Sequence, residues 1–177
     1  MLPSFPNILL VGSNTRKTGK STIICRLLER YAKEHSISAI KLAIYDDIKD
    51  LKSHYPESSE KGVYIVEEQE PGDKDSKKFL ASGAKQSWFI AVMQSEIGQV
   101  INLIKSIKSE GELLIIESTS LRNYLEPGVF IFVNKISKKN KKREVRNMAD
   151  LEIETGSDDF NNIDQIICPE KGMWVYC

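Results

Sequence analysis

Short apolar runs alternate with amphipathic stretches along the chain, a rhythm that predicts βα units and a mainly parallel sheet. Residues 7–11 form a continuous apolar run behind Pro6 and read as a buried first strand. From Gly19 to His35, apolar side chains recur near the 3.6-residue period at Ile23, Ile24, Leu27, Leu28 and Tyr31, which predicts a helix. Residues 37–43, 87–92, 113–116 and 129–133 read as further strands, and 75–82 and 97–107 as helices, the first of these closed by Gly83. Pro127-Gly128 reads as a turn. Residues 46–72 are polar apart from a β-like run at Val63 to Val66 and read as a loop and strand insertion. The last segment carries a basic run, an apolar stretch over 163–167, Pro169 and a short tail with Trp174. The fold class expected is α/β, three layers with a mostly parallel central sheet and helices on both faces.

Composition narrows this picture. At 177 residues the chain is one domain's worth, and 41% apolar residues suffice for one sizeable core. Lys and Arg together number 25, as do Asp and Glu, so the formal net charge is zero. That balance argues against a dedicated nucleic-acid or anionic-membrane binder. The amino terminus lacks a basic leader, and its apolar run is too short to span a membrane, so a cytoplasmic protein is expected. Cys25, Cys168 and Cys177 form no CxxC pair, which speaks against a disulfide framework or a zinc knuckle. With only His35 and His54 in the chain, a histidine metal cluster is nearly excluded.

The sharpest chemical feature is GSNTRKTGKST, Gly12 to Thr22. Its second half matches the end of the phosphate-loop pattern GxxxxGK[ST] and lies between a predicted strand and a predicted helix, as that motif requires. Gly19 lets backbone N–H groups approach phosphate without a Cβ in the way, and the helix start adds further N–H groups. Lys20 supplies charge to the outer phosphates, and the Ser21 hydroxyl is suited to Mg²⁺. Asn14 stands where the pattern has its first glycine, and it is expected to tolerate positive φ there. Thr15, Arg16, Lys17, Thr18 and Thr22 complete the candidate nucleotide-binding set; Arg16 and Lys17 either touch phosphate or lie in solvent.

Further along, PGDKDSKKFLASGAKQSWFI, Pro71 to Ile90, resembles the MobB family of GTP-binding accessory proteins in molybdenum-cofactor guanylation. Pro71, Gly72, Lys74, Asp75, Ser76, Gly83 and Ala84 carry the likeness, with Lys41 at the end of the second strand and Glu117 at the end of LLIIE. Leu42 and Ser118 stand where that family has His and Gly, and Asp46-Asp47 replaces its His-rich stretch. The likeness runs from Asn7 to Val133 and implies a single P-loop NTPase domain over residues 1–177, of the class that also holds dethiobiotin synthetase. It further implies a homodimer, with a cofactor-biosynthesis enzyme as partner.

Asp75 and Glu117 are the candidate carboxylates for Mg²⁺, since magnesium on phosphates recruits one or two acids from strand or loop ends. Asp46, or its neighbour Asp47, is a further candidate just past the second strand. With Lys20, Glu117 is also assigned to catalysis. Asn134-Lys135-Ile136-Ser137 sits where guanine-reading GTPases carry Asn-Lys-x-Asp; Ser137 replaces the acid, and Asn134 alone suits either purine, so GTP and ATP both stand as ligands. The basic run Lys138, Lys139, Lys141, Lys142, Arg143 and Arg146 reads either as a solvated face or as an attractor of an anionic partner. Three functions are expected in turn: a MobB-like GTP- or ATP-binding accessory protein with slow hydrolysis, an ATP-dependent ligase or kinase for a small acid, and a scaffold with a vestigial nucleotide site.

Overall fold

The computed structural model describes residues 1–107, 111–136 and 142–177. In chain order its strands are β1 (Ser4–Ser13), β2 (Ile37–Tyr45), β3 (Val63–Glu67), β4 (Ser87–Met93), β5 (Leu113–Glu117), β6 (Glu126–Asn134), β7 (Leu151–Glu154), β8 (Ile167–Glu170) and β9 (Met173–Tyr176). The helices are α1 (Lys20–Tyr31), α2 (Ile48–His54), α3 (Asp75–Ala81), α4 (Ile97–Ile107), α5 (Arg143–Arg146), α6 (Asp158–Asn161) and α7 (Ile163–Ile166). Among the described residues a seven-stranded sheet forms in the order β3-β4-β2-β5-β1-β6-β7, and β8 and β9 pair as a separate hairpin. Every pairing in the large sheet is parallel except β3 with β4 at one edge.

The period of two along each strand divides the core into two layers. Leu9 and Val11 of β1 join Ala39, Leu113 and Ile115 beneath α1, whose Ile23, Ile24, Leu27 and Leu28 are buried. Each of those side chains contributes about 2 kcal/mol of burial, enough to hold a 12-residue helix too short to stand alone. Ile8 and Leu10 point the other way, packing with Ile40, Ile90, Val100 and Ile104 under α4. Helices therefore cover both faces, as the sequence pattern predicts.

Several local expectations are corrected. Residues 46–72 contain a helix as well as a strand: the Asp47 side chain accepts from the N–H groups of Lys49 and Asp50 at 2.7 and 3.3 Å and so starts α2. Pro127-Gly128 is not a turn but lies inside β6. There β1 bulges between Phe5 and Leu9, and a Cβ on Gly128 would sit 2.1 Å from the Pro6 carbonyl oxygen, so glycine is the residue the close approach requires. The carboxy-terminal region adds β7, α6, α7 and the hairpin, where the sequence pattern marks only the apolar stretch over 163–167, Pro169 and the tail with Trp174. Trp174 closes it, donating its indole N–H to the Leu114 carbonyl at 3.1 Å. Among the described residues no helix is long and apolar enough to cross a membrane.

Candidate functional site

In a parallel sheet the strands' carboxyl ends all open on one edge, and there the chain's chemistry collects. β1 runs into the loop 14–19, β2 ends beyond Lys41, β5 ends in Glu117 and β6 in Asn134. Register places Val11 and Lys41 on either side of Glu117. Since Val11, Ala39 and Ile115 face α1, the same alternation turns Lys41 and Glu117 toward the helix's first turn.

Glu117 is 3% exposed, so it is not a solvated strand-end carboxylate. Its Oε1 accepts from the Lys41 ammonium and lies 3.8 Å from Lys20 Nζ; its Oε2 accepts from the Ser21 hydroxyl at 3.1 Å. Lys41 also pairs with Asp75 Oδ2 at 3.0 Å. A buried carboxylate is tolerated only with compensation of this kind. Burial pulls the Lys41 pKa down, but Glu117 and Asp75 outweigh it and leave it above the ordinary lysine value. For Asp75, burial pushes up, and the Lys41 and Ser21 contacts overcome it, holding the carboxyl below its usual range. Lys20 falls below the ordinary value, chiefly through burial, with Glu117 opposing.

The loop is braced from three sides. Gly19 takes φ +94°, and a Cβ on it would meet the Phe160 ring at 2.5 Å, so both conformation and space demand glycine. The other left-handed residue of the loop is Lys17 at φ 55°, not Asn14. The expectation for Asn14 is therefore corrected: its amide is what matters. Asn14 Nδ2 donates to Asn134 Oδ1 and to the Lys135 carbonyl, each at 2.8 Å, and its Oδ1 accepts from the Lys135 N–H at 3.1 Å. These three bonds staple the loop's start to the end of β6. The first of them also takes one of the two acceptor positions on the side-chain oxygen of Asn134, whose amide is expected to read a base. On the other flank the Thr155 hydroxyl donates to the Thr18 carbonyl at 2.9 Å.

Lys20 Nζ donates to Ser13 Oγ at 2.7 Å, and the Ser13 hydroxyl donates to the Thr15 carbonyl at 2.7 Å. Ser13's N–H and carbonyl are both held by the Thr119 hydroxyl, at 2.9 and 3.2 Å. Ser13, Thr119, Thr155 and Phe160 hold the loop in place without belonging to its motif. No spacing rule marks them, because each reaches the loop through tertiary packing.

A hollow of about 460 Å³ opens over the loop, lined by Arg16 to Thr22 with Lys41, Asp75 and Glu117. Thr15, Arg16, Lys17 and Thr22 are exposed, while Thr18 is buried and its hydroxyl oxygen has no hydrogen-bond partner among the described residues. A second hollow of about 510 Å³ shares Arg16, Lys20, Lys41 and Glu117, extending past Asp46 and Asp47 toward Lys142. Asp46 lines that extension as an exposed residue; Asp47 is spent on capping α2. Among the described residues no group of three or more His, Cys, Asp or Glu could hold a metal by itself. The donors present, the Ser21 hydroxyl with the Glu117 and Asp75 carboxylates, are hard oxygens, the kind magnesium takes when phosphates complete its shell.

Ser137 and the lysines 138, 139 and 141 lie outside the described residues. Of the rest of the basic run, Lys142 borders the second hollow, Arg143 opens α5 and Arg146 pairs with Glu152. No family model, curated protein or solved structure matches the chain.

Proposed function

We propose that this chain is a P-loop NTPase that binds a purine nucleoside triphosphate, GTP or ATP, with Mg²⁺ and hydrolyses it slowly. One observation carries the reading: Gly19 ends the loop between a buried parallel strand and α1, and Lys20 and Ser21, the first two residues of that helix, are turned toward the buried Glu117. In the hollow above them, two lysines face two carboxylates, and Arg16 and Lys17 add a cationic rim, a setting suited to a polyanion. Lys20 would exchange its Ser13 contact for the outer phosphates. Ser21 would hold Mg²⁺ with Glu117 and Asp75 behind it, and the ion when bound supplies charge neutralisation for phosphoryl transfer. The MobB-like accessory role in cofactor metabolism, with a homodimer and a partner enzyme, is part of this proposal and rests on the sequence likeness.

A second reading, an ATP-dependent kinase or ligase for a small acid, is favoured by one feature. A further hollow opens beside the loop and shares Lys41 and Asp75 with it. The test is hydrolysis of GTP and ATP with and without Mg²⁺, in wild type and Glu117→Gln. Mg²⁺-dependent turnover that falls at least about tenfold in the variant is expected. Turnover that Glu117→Gln leaves untouched removes Glu117 from the reacting site.

A further inference from the structure

The hollow beside the phosphate loop measures about 610 Å³, within the range of small-molecule sites. Its floor is the α1-side face of the sheet at β2, β4 and β3. Cross-strand register sets Lys41, Phe89 and Val66 in one row on that face, and Ala43, Ala91 and Tyr64 in the next. Tyr55, just after α2, closes the top, with its ring stacked on Tyr64 at 5.0 Å and tilted to Phe89 at 5.2 Å. All three rings are only half-buried, so aromatic surface remains open to the hollow. The opposite wall is the segment from Glu68 to Lys77.

The polar groups of that wall are committed apart from Asp73 and Lys74, neither of which has an ion-pair partner among the described residues. Asp75 is held by Lys41, Glu68 accepts from the Ser76 hydroxyl at 2.6 Å, and Lys77 pairs with Glu70 at 3.6 Å. Lys74 has no carboxylate within 4.0 Å among the described residues, and Lys41 stands at the junction with the phosphate loop. Aromatic walls with a cation at one end suit a flat ring bearing an acid group.

We propose that this hollow binds a small planar aromatic acid as the second ligand of the nucleotide site, with its rings against Tyr55, Tyr64 and Phe89 and its acid group toward Lys74 and Lys41. The assignment deepens the kinase or ligase reading and rests on the adjoining nucleotide site. Lys41 and Asp75 belong to both hollows, so the acid group would lie on the side nearest the outer phosphates.

The probe is 2-naphthoate, followed by ligand-observed NMR with and without saturating ATP and Mg²⁺, against 2-naphthamide and the saturated decahydro-2-naphthoate. Expected are binding at or below about 1 mM, at least about tenfold weaker binding of both analogues, and binding that persists with ATP present. Tyr64→Ala and Lys74→Glu should each weaken 2-naphthoate about tenfold. Val66→Trp, which fills the hollow without deleting a contact, should abolish it and guards against a misfolded Tyr64→Ala.

No binding by wild type, equal affinity for the saturated acid, or indifference to Val66→Trp overturns the proposal. Tighter binding of the amide would mean that Asp73 sets the charge, and overturns the acid assignment. Displacement by ATP overturns the two-site arrangement. If 2-naphthoate binds as expected while no triphosphate does, the aromatic site stands and the nucleotide reading falls; triphosphate binding without 2-naphthoate gives the reverse.

Discussion

Replacing Lys41 with methionine keeps the length of its stem and removes the ammonium that joins Glu117 to Asp75. At an effective dielectric of about 20, opposite charges 3.0 Å apart attract by about 5.5 kcal/mol before desolvation is counted. The Asp75 side chain is 36% exposed, so solvent screening reduces its share to below about 1 kcal/mol. Glu117 is the partner that decides the outcome. Deep in the sheet edge, among the described residues it would keep Ser21 and the more distant Lys20 as compensation. Loss of one partner from a buried pair costs about 3–5 kcal/mol, and the remaining Lys20 should bring this to about 3 kcal/mol. Urea unfolding reads it as a lowered midpoint at unchanged slope. Lys77→Met, which breaks the surface pair with the largely exposed Glu70, serves as the control and should stay within about 0.5 kcal/mol of wild type. A Lys41→Met protein as stable as that control would refute the reasoning that Glu117 is a buried charge held by lysine.

Other substitutions test the loop's bracing. Gly19→Ala must both adopt φ +94° and displace the Phe160 ring, and a loss of about 3 kcal/mol is expected by chemical denaturation. Adding Phe160→Leu should recover only part of it, since the backbone strain remains; full recovery would show that φ carries no cost. Asn14→Ala removes three hydrogen bonds to the end of β6 and should destabilise by about 2 kcal/mol, whereas Asn14→Gly, tolerant of positive φ, should not rescue it. A rescue by glycine would restore backbone conformation as the reason for Asn14.

The pH dependence follows from Lys20. Burial lowers its pKa below 10.5, so the folded protein is penalised for its charge at neutral pH and relieved as pH rises through that pKa. A bound polyphosphate favours the ammonium, so triphosphate affinity should fall as pH rises toward 10.5 in wild type and less steeply in Lys20→Arg. Parallel profiles would place the titration elsewhere.

The strands and helices around the site were legible because burial imposes periods of two and 3.6, and the loop because GKST sits between them. The extent of the cluster was less so. Lys41 and Glu117 lie 76 positions apart and meet only through the β2–β5 register, which no local pattern encodes. Asp47 reads in sequence as a metal candidate because an Asx cap and a strand-end acid have the same local sequence. The Pro127-Gly128 pair read as a turn because the demand for glycine comes from β1, more than 100 residues earlier in the chain. The departure at Asn14 is visible in the motif but its cause is not, since its amide partners lie 120 and 121 positions away.

The most direct test of the central claim is calorimetric titration of wild type and Lys20→Ala with ATP and with GTP in the presence of Mg²⁺. Wild type is expected to show saturable binding of one or both at sub-millimolar concentration, weakened about tenfold or more in Lys20→Ala by loss of a charge-assisted contact to phosphate. No binding of either nucleotide to wild type, or equal affinity in the two proteins, would contradict that claim.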